Sequence, residues 1–305
     1  MRVAIIGAGL TGLTTGHALS QAGLSPVLYD KGRGVGGRLS TRRANNGLQF
    51  DHGAQYLSAK TPEFSTFLAE LAAIDVARSW ELPDGRSGTI GIPGMTAVAK
   101  YLARGLKIHQ SVEIADITRG AGGWRVADGT YDRVMSTVPA PQAFQLLRDT
   151  HPIAKDVNDV QMVPNLTLML ALPETADVPF VTRRLPEDPI AWLACDSEKH
   201  GRVGPHCWVA QASLDWSQAH LELDKEEIAA LMLPMVCDIL RADPKDALYV
   251  SAHRWRYAMA SHPLGRPFLT SNDGLFVGGD WALSARAEGA WQSGLAMAKA
   301  VLATL

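Results

Sequence analysis

The chain has 305 residues, 47% of them apolar and 20% charged, and its 29 basic and 31 acidic residues leave a net charge of −2. This length fits two interlocked domains, and the apolar fraction allows a sizeable core. Neither a basic stripe for nucleic acid nor an apolar run of the ~18 residues needed to span a membrane occurs. We therefore expect small-molecule partners, no nucleic acid and no membrane.

The three cysteines contain no Cys-x-x-Cys pair and leave one thiol unpaired in any disulfide scheme. This pattern favours buried thiols in a reducing cytoplasm. The apolar stretch that follows Arg2 has some features of a signal peptide, but four glycines interrupt it between residues 7 and 16. We expect a cytoplasmic protein.

The N-terminal region predicts a βαβ unit. Val3–Ile6 is a short apolar run, typical of a parallel strand buried on both faces. A glycine turn leads into a predicted helix over residues 11–22, which ends before Gly23, and a second strand begins over residues 26–29. The order strand, turn, helix, strand is that of a nucleotide-binding unit.

The rest of the chain predicts further helices and strands. Thr61-Pro62 is a typical helix start, residues 83–94 are rich in Gly and Pro and predict a loop, and residues 134–138 predict a buried strand. Leucines alternate over residues 166–172, which predicts a strand facing a core on one side. The other predicted elements are strands at 190–195, 207–212, 248–255 and 275–277, a helix over 225–242 that Pro234 kinks, and a last helix with Trp291, Leu295, Ala298, Leu302 and Leu305 on one face.

The motif Gly7-x-Gly9-x-x-Gly12 follows the first strand and opens the first helix. In that context Gly7 permits a tight turn, Gly9 lets the backbone approach a pyrophosphate, and Gly12 lets the helix pack on the sheet. The helix N-terminus at Leu10 and Thr11 offers free N–H groups to the phosphates. The spacing predicts a dinucleotide site.

Asp30 ends the second strand, 18 residues after Gly12, where a carboxylate can accept hydrogen bonds from ribose hydroxyls. A glycine-rich loop with cations follows, from Lys31 through Gly37 to Arg38. Such a loop suits an extended pyrophosphate, and a guanidinium can bind phosphate through two parallel hydrogen bonds. The loop favours FAD over NAD, for which it would be superfluous.

Several blocks in chain order resemble the bacterial renalases, within the monoamine oxidase-like flavoproteins. They are Ala4-Ile5-Ile6-Gly7-Ala8-Gly9, Asp30 to Arg38, Phe50-Asp51-His52-Gly53-Ala54-Gln55-Tyr56, Ile92-Pro93-Gly94-Met95, His253-Arg254-Trp255-Arg256-Tyr257-Ala258, Gly278-Gly279-Asp280-Trp281 and Glu288-Gly289-Ala290-Trp291. The chain departs from the family pattern at His52, where an apolar residue is expected, and over residues 174–206, which match weakly.

The resemblance implies an α/β fold, in which a Rossmann-type FAD-binding domain is interlaced with a mixed-sheet (α+β) substrate domain, as in monoamine oxidase. We expect residues 1–58, 93–150 and 265–305 in the FAD-binding domain and residues 59–92 and 151–264 in the substrate domain.

The same resemblance implies cofactor contacts beyond the N-terminal motif. Gly53 and Ala54 are expected against the isoalloxazine, Ile114 at the adenine edge, and Gly279 with Asp280 at the ribityl and phosphate portion. The last helix is expected to point its N-terminus, near Ala287, at flavin N1 and the C2 carbonyl. No cysteine follows Cys237, so the FAD is expected to be non-covalent.

Renalases oxidise dihydronicotinamide dinucleotides of the 2- or 6-dihydro form to NAD(P)⁺ and pass the electrons to O₂, which gives hydrogen peroxide. A dihydropyridine gains aromaticity as it donates hydride to flavin N5, so no catalytic side chain is expected. The sequence has no nucleophile elbow and no His-Glu-x-x-His motif, and we expect no metal.

Substrate residues follow from the resemblance as well. They are Gln55, Tyr56, Leu57, Ser58, Ala59, Pro93, Gly94 and Met95, with Asn165 and Arg286 as further candidates. Asn165 would hydrogen-bond either a carboxamide or the backbone, and Arg286 would meet a phosphate or carboxamide or form a surface ion pair. Trp255, Tyr257, Trp281 and His253 would line the substrate site or belong to the core. The alternatives are a flavin amine oxidase for a small amine, a non-catalytic FAD-binding protein and a plain NAD dehydrogenase.

Overall fold

The computed structural model describes residues 1–83 and 85–305, and its chain divides into two compact units. Unit 1 contains Met1–Leu39, Val98–Met162 and Met259–Leu305, and unit 2 contains Ser40–Ala97 and Val163–Ala258. These borders differ from the domain borders expected from the sequence. Residues 40–58 and 93–97 lie in unit 2, and residues 151–162 and 259–264 lie in unit 1. Asp84, within the expected segment 59–92, lies outside the described residues.

The secondary structure is as follows. The strands are β1 (Val3–Ile6), β2 (Val27–Asp30), β3 (Arg42–Arg43), β4 (Gln49–Phe50), β5 (Ala77–Glu81), β6 (Ser87–Gly91), β7 (Lys107–Gln110), β8 (Thr118–Gly120), β9 (Gly123–Val126), β10 (Gly129–Tyr131), β11 (Arg133–Ser136), β12 (Met162–Leu172), β13 (Thr182–Arg184), β14 (Ile190–Cys195), β15 (His206–Ala212), β16 (Tyr249–Ala260), β17 (Phe268–Thr270) and β18 (Leu275–Gly278). The helices are α1 (Leu10–Gln21), α2 (Pro62–Ala73), α3 (Thr96–Leu102), α4 (Ala140–Leu147), α5 (Ala154–Asn158), α6 (Leu214–Ala219), α7 (Lys225–Leu240), α8 (Asp280–Leu283) and α9 (Ala287–Leu302).

Unit 1 is built on a sheet with the order β17-β18-β11-β1-β2-β7. Its strands are parallel from β18 to β7, and β17 is antiparallel to β18. Every residue of β1 is buried, as a central parallel strand requires. The predicted βαβ unit and the Rossmann-type fold are therefore confirmed.

Helix α9 packs closely on α1 because Gly294 has no side chain. A Cβ atom at Gly294 would lie 2.6 Å from the Thr11 carbonyl oxygen. The Thr15 hydroxyl donates to the Gly294 carbonyl oxygen at 3.1 Å and joins the two helices. This contact fixes both helices, whose N-termini are predicted to face the cofactor, on the same framework.

Unit 2 is built on a sheet with the order β13-β14-β15-β12-β16. The alternating leucines of β12, Leu166 to Leu172, pack with Ile228, Met232 and Val236 of α7 in one core cluster. Between them, Met169 and Ala171 belong to a second buried cluster with Phe50. The strand is therefore buried on both faces, and the prediction of a core on one side only was wrong.

Three sequence predictions about helices and loops have different outcomes. The Thr61 hydroxyl accepts a hydrogen bond from the Phe64 N–H at 3.4 Å, which confirms the predicted helix start. The loop predicted over residues 83–94 contains β6, which pairs with β5, so that prediction was wrong for the described residues. Leu305 lies beyond α9 and is 71% exposed, so it does not extend the apolar face of the last helix.

The loop prediction was wrong at β6 because it relied on glycine content. A Cβ atom at Gly88 would lie 2.6 Å from Cδ2 of Tyr56, so this strand position must be glycine for the ring to pack on it.

No helix within residues 1–83 and 85–305 combines the length and the apolar character needed to cross a bilayer.

Candidate functional site

The glycine turn of unit 1 is closed at two glycines and open at the third. Gly7 has a φ of +105°, and a Cβ atom there would lie 2.8 Å from the Thr137 hydroxyl oxygen. A Cβ atom at Gly12 would lie 1.9 Å from the Gly7 carbonyl oxygen, which excludes any side chain. At Gly9 a Cβ atom would meet no described atom within 4 Å. Gly7 and Gly12 thus shape the turn, while Gly9 exposes backbone to open space.

The second glycine segment lies directly against this turn. The Gly36 N–H donates to the Ala8 carbonyl oxygen at 2.8 Å, and Gly9 and Gly36 form a parallel bridge. A Cβ atom at Gly37 would lie 3.5 Å from Cα of Gly9. Two stretches of nearly bare backbone therefore run side by side at the N-terminus of α1. Such a cradle fits a pyrophosphate, because the N–H groups of the first turn of α1 and the helix dipole favour negative charge there.

Asp30 holds the two glycine segments together. One carboxylate oxygen accepts from the Ala8 N–H at 2.5 Å and the other from the Gly32 N–H at 2.7 Å. Each carboxylate oxygen can accept a second hydrogen bond, so capacity for a ribose hydroxyl remains. The Asp30 carbonyl oxygen accepts from the Val112 N–H at 2.9 Å, in the segment that carries Ile114. The predicted adenine-side residue thus follows a segment that is hydrogen-bonded to Asp30.

Lys31 forms an exposed ion pair, and Ile114 packs on the core of unit 1. The Lys31 ammonium lies 3.6 Å from the Glu113 carboxylate, and both side chains are more than half exposed. Exposed pairs of this kind contribute at most about 1 kcal/mol. Ile114 is half-buried and packs on the core of unit 1, as an apolar contact for a flat ring would require.

Arg38 and Asp280, two predicted cofactor residues, bind each other. Both terminal nitrogens of Arg38 contact the Asp280 carboxylate, at 2.8 and 2.6 Å. The Asp280 side chain is 8% exposed and that of Arg38 is 32% exposed. The Asp280 carboxylate is thus one partner of Arg38, and the contact between Arg38 and a phosphate stays a prediction. The pair fixes Asp280 just after Gly279, where a Cβ atom would lie 2.7 Å from the indole nitrogen of Trp281.

The N-terminus of α9 carries an exposed cation. Arg286 is its N-cap, has extended backbone and makes no side-chain capping bond. Its guanidinium forms no ion pair with any side chain of residues 1–83 or 85–305. Ala287 begins the helix behind it. A guanidinium and the positive end of a 16-residue helix therefore occur together in unit 1.

Trp281 is a core residue of unit 1. It is fully buried, and its indole N–H donates to the Val138 carbonyl oxygen at 3.0 Å. Of the two places considered for it, the core and a wall of the substrate site, the structure supports the core.

Unit 2 contains a buried charge cluster, formed by Asp51, Asp196, Lys199 and Arg202. The Lys199 ammonium lies 3.1 Å from the Asp51 carboxylate and 2.7 Å from that of Asp196. The Arg202 guanidinium contacts Asp51 and lies 2.9 Å from Asp196. The first three side chains are 0% exposed, and that of Arg202 is 7% exposed. Two cations thus balance two carboxylates inside unit 2.

Burial and neighbouring charges act differently on the two carboxylates. Burial alone would raise the pKa of Asp51, but the adjacent Lys199 and Arg202 cations outweigh it, and the pKa lies below its usual value. Burial dominates at Asp196, and together with the Asp51 charge it raises the pKa of that carboxyl despite the Lys199 cation.

The buried charge cluster also holds Gln55, a predicted substrate residue. The Gln55 amide nitrogen donates to the Asp51 carbonyl oxygen, and its amide oxygen accepts from the Lys199 ammonium at 3.3 Å. The side chain is buried, and both ends of the amide are engaged. The Gln55 amide is thus hydrogen-bonded within unit 2, and its role as a substrate residue stays a prediction.

Tyr56 lies in an aromatic group with Trp80 and Trp192, at centroid distances of 6.0 and 6.4 Å. Its hydroxyl accepts from the Arg184 guanidinium at 3.3 Å, and the same guanidinium lies over the Trp192 ring at 4.7 Å. A cation therefore binds the hydroxyl of Tyr56, the aromatic member of the predicted substrate residues.

The other predicted substrate residues of unit 2 divide by exposure. Leu57 and Met95 are 1% and 0% exposed, so their side chains belong to the interior. Ser58 and Pro93 are exposed, and Ala59 is half-buried. A Cβ atom at Gly94 would lie 2.7 Å from the Thr41 hydroxyl oxygen, so that position requires glycine.

Asn165 is hydrogen-bonded at both ends of its amide. Its nitrogen donates to the Ala212 carbonyl oxygen at 3.0 Å, and its oxygen accepts from the Thr167 hydroxyl at 2.9 Å. The backbone-bonded alternative is therefore the one that the structure shows.

His52, His253 and Trp255 form an aromatic cluster next to Gly53. The His52 ring lies 4.8 Å from that of His253 and 5.3 Å from that of Trp255, whose indole N–H donates to the His52 carbonyl oxygen at 2.9 Å. Gly53 accepts at its carbonyl oxygen from Gln211 at 3.1 Å, and Ala54 is half-buried.

Both histidines of this cluster are neutral at pH 7. Burial, followed by the Arg42 charge, lowers the pKa of His52 to about 4. Burial, followed by the neighbouring His52, lowers the pKa of His253 to about 3. Such imidazoles are weak bases and present an uncharged surface.

Three members of the buried charge cluster are not among the residues predicted from the sequence. Asp196, Lys199 and Arg202 all lie within residues 174–206, where the resemblance to known flavoproteins is weakest. Their signal was the group of acidic and basic residues that follows a buried strand ending at Cys195.

Comparison with protein families gives two matches. Residues 5–71 match the NAD(P)-binding Rossmann-like domain, and residues 67–302 match the flavin containing amine oxidoreductase family. Among curated proteins, protoporphyrinogen oxidase 2 of Arabidopsis thaliana is 36% identical over 70 residues, which are 23% of this chain. The match spans only 14% of that relative's length.

Solved structures of putrescine oxidase have a similar fold. A double mutant matches with a TM-score of 0.75 and 14% identity over 99% of both chains. The wild-type enzyme bound to putrescine matches with a TM-score of 0.69 and 14% identity, again over 99% of both chains. At this identity the likeness concerns the fold.

Proposed function

The chain belongs to the family of flavin-containing amine oxidoreductases, and on that premise we propose that this FAD-dependent oxidoreductase oxidises isomeric dihydronicotinamide dinucleotides. The substrates are the 2- or 6-dihydro forms, as in the renalases that the sequence resembles. Each turnover converts one dihydronicotinamide, one proton and one O₂ into one NAD(P)⁺ and one hydrogen peroxide. When bound, FAD supplies a hydride acceptor at N5 and a route for two electrons to O₂.

The residues of unit 1 fit the dinucleotide part of FAD. The backbone of Gly9 and of Gly36 to Arg38 would hold the pyrophosphate, and Asp30 would accept a ribose hydroxyl. Asp280, fixed by Arg38, would contact the ribityl and phosphate portion. The observation that supports this assignment is the open backbone at Gly9, where a side chain would occupy the space of the ligand. The free cysteines, Cys195, Cys207 and Cys237, are all buried in unit 2, which supports non-covalent binding.

The exposed position of Arg286 at the N-terminus of α9 is the observation that supports the choice of substrate. A pyrophosphate-linked dinucleotide is anionic, whereas a small amine is a cation at neutral pH. A unit charge 4 Å from the guanidinium gains or loses about 1 kcal/mol in water and about 4 kcal/mol near a protein surface. The exposed Arg286 at the positive end of α9 therefore favours the anionic substrate and disfavours the amine.

The described aromatic residues support the same choice. Amine oxidation requires an uncharged amine, and the neutral His52 and His253, with pKa values of about 4 and 3, are poor bases for removing its proton. Hydride donation from a dihydropyridine needs no base. The protein's task would then be to stack and orient the ring.

A flavin amine oxidase is the second candidate function. The family description and the fold shared with putrescine oxidase favour it. The aromatic group of Tyr56, Trp80 and Trp192 could receive a cation, but the Arg184 guanidinium already lies over Trp192 at 4.7 Å. Because Arg184 already covers the Trp192 ring, amine oxidation is the weaker of the two proposals.

The test is a product assay on the FAD-loaded protein in air. Purified 2- and 6-dihydro isomers should yield NAD(P)⁺ and hydrogen peroxide in equal amounts. Arg286→Ala should raise KM for the dinucleotide roughly fivefold, because about 1 kcal/mol of attraction is lost, and should leave FAD bound. Arg148→Ala, which removes a half-exposed arginine elsewhere in unit 1, is the matched control and should behave as wild type. Peroxide formed from primary amines and none from the isomers would establish the second candidate.

A further inference from the structure

Three metal-binding side chains meet at the turn between β14 and β15. Cys195 ends β14, Glu198 lies in the 3-10 turn Asp196–Glu198, and His206 begins β15. The cysteine sulfur, a glutamate oxygen and a histidine ring nitrogen all lie within 4.8 Å of one another. The antiparallel pairing of the two strands, with Cys195 opposite Trp208, brings these side chains together.

The His206 ring has one nitrogen in a hydrogen bond and one nitrogen without a partner among the described residues. Its Nε2 lies 3.2 Å from the Glu174 carbonyl oxygen, which can only accept, so Nε2 carries the hydrogen. Its Nδ1 therefore keeps a lone pair in the neutral ring, and that buried atom has no hydrogen-bond partner among the described residues. Metal-binding histidines are held in the same way, with the second ring nitrogen donating to a carbonyl or carboxylate.

Cys195 supplies a free thiol to the cluster, and its side chain is buried. A cation that prefers sulfur displaces the thiol proton when it binds. Glu198 is exposed and leaves the position open to solvent.

We infer that Cys195, Glu198 and His206 form a binding site for a single Zn²⁺ ion, with water as the fourth ligand. One sulfur, one nitrogen and one carboxylate oxygen are donors that Zn²⁺ accepts together in tetrahedral geometry. Bonds of about 2.0–2.3 Å place such ligands roughly 3.3–3.8 Å apart, so the cluster needs to contract by about 1 Å. The exposed Glu198 side chain can supply that movement.

The site has a structural consequence for unit 2. The same turn carries Asp196, which belongs to the buried charge cluster and accepts a hydrogen bond from the Asp51 N–H at 2.5 Å. A zinc ion on the turn would fix Asp196 and, through Asp51, the segment that leads to Gly53. Zinc has no redox chemistry, so the ion would stabilise the fold and would not exchange electrons with the substrate. The inference is independent of the proposed substrate.

The first test is calorimetric titration of the tag-free, FAD-loaded protein with ZnCl₂ in two buffers of different ionisation enthalpy. We expect one ion per chain and release of about one proton, since the Cys195 thiol ionises. Cys195→Ser and His206→Gln should abolish measurable binding, and Glu198→Gln should weaken it about tenfold or more. Cys237→Ser removes a buried thiol elsewhere in unit 2 and should bind Zn²⁺ as wild type does.

The second test uses Co²⁺ as a spectroscopic probe. The wild type should show tetrahedral ligand-field bands at wavelengths longer than flavin absorption, and Cys195→Ser should not. Wild-type protein with no saturable site, or with sites that survive both Cys195→Ser and His206→Gln, would overturn the inference. Because Glu198 is exposed, Glu198→Gln is expected to fold even if the buried variants do not, and unchanged affinity in that variant would also contradict the site.

Discussion

Replacing Lys199 by methionine perturbs the buried charge cluster with little change in volume. The ammonium lies 2.7 Å from Asp196, 3.1 Å from Asp51 and 3.3 Å from the Gln55 amide oxygen, and the side chain is 0% exposed. Without it, two buried carboxylates would face the single Arg202 guanidinium. A buried ion pair that loses one partner costs about 3–5 kcal/mol. At roughly 2–4 °C per kcal/mol, the melting temperature of Lys199→Met should fall by about 10 °C.

The assay is thermal and urea unfolding of the FAD-loaded protein, followed by circular dichroism. Lys245→Met removes an exposed ammonium from unit 2 and should unfold within about 0.5 kcal/mol of wild type. Adding Asp196→Asn to Lys199→Met restores charge balance, so the double variant should recover part of the loss, with a coupling of about 1–3 kcal/mol. A loss below about 1 kcal/mol in Lys199→Met, or strictly additive effects in the double variant, would show that the cluster is not the paired arrangement described above.

Three further predictions concern the glycine turn, Asp30 and His52. Gly12→Ala places a Cβ atom 1.9 Å from the Gly7 carbonyl oxygen and should yield misfolded or FAD-free protein. Gly9→Ala has room for its Cβ atom and should fold, but it should bind FAD at least about tenfold more weakly in fluorescence titrations. Equal FAD affinity in Gly9→Ala would contradict the pyrophosphate assignment. Asp30→Ala should cost about 1–3 kcal/mol of FAD affinity, and retention of FAD through dilution and gel filtration would show that the site is misplaced. The pKa of His52 is about 4 in the folded chain and 6.5 in the unfolded chain, so the unfolded chain binds a proton first as the pH falls. Through His52, the free energy of unfolding should therefore drop by roughly 2 kcal/mol between about pH 7 and pH 5. Urea unfolding at both pH values should show that His52→Phe lacks this drop, and the same pH dependence in wild type and variant would refute it.

The sequence predicts the first βαβ unit and its glycine turn well because their signals are local. The turn at Gly7 to Gly12 and the acid at Asp30 lie within one βαβ unit, and Gly7 and Gly12 have steric reasons that their spacing already indicates. Strand and helix periodicity likewise located β1, α7 and β14 to within a few residues.

Unit 2 was harder to predict because distant partners fix its side chains. Lys199 and Asp51 are separated by 148 residues, and no local period shows that they meet. Gln55 and Asn165 are polar residues in suitable places, yet their amides are already hydrogen-bonded within unit 2. At Gly88, glycine marks the packing of the Tyr56 ring on a strand, although composition alone favoured a loop.

The most direct test of the proposed function is anaerobic stopped-flow mixing of the FAD-loaded protein with three classes of reductant. Isomeric 2- and 6-dihydronicotinamide dinucleotides should bleach the flavin absorbance rapidly. Ordinary 4-dihydro NADH should do so far more slowly, because its donor carbon would be out of line with the flavin when the carboxamide is held. Rapid bleaching by a primary amine, with none by the isomers, would contradict the proposal in favour of amine oxidation. Bleaching by neither class would contradict both and indicate an FAD-binding protein without this chemistry.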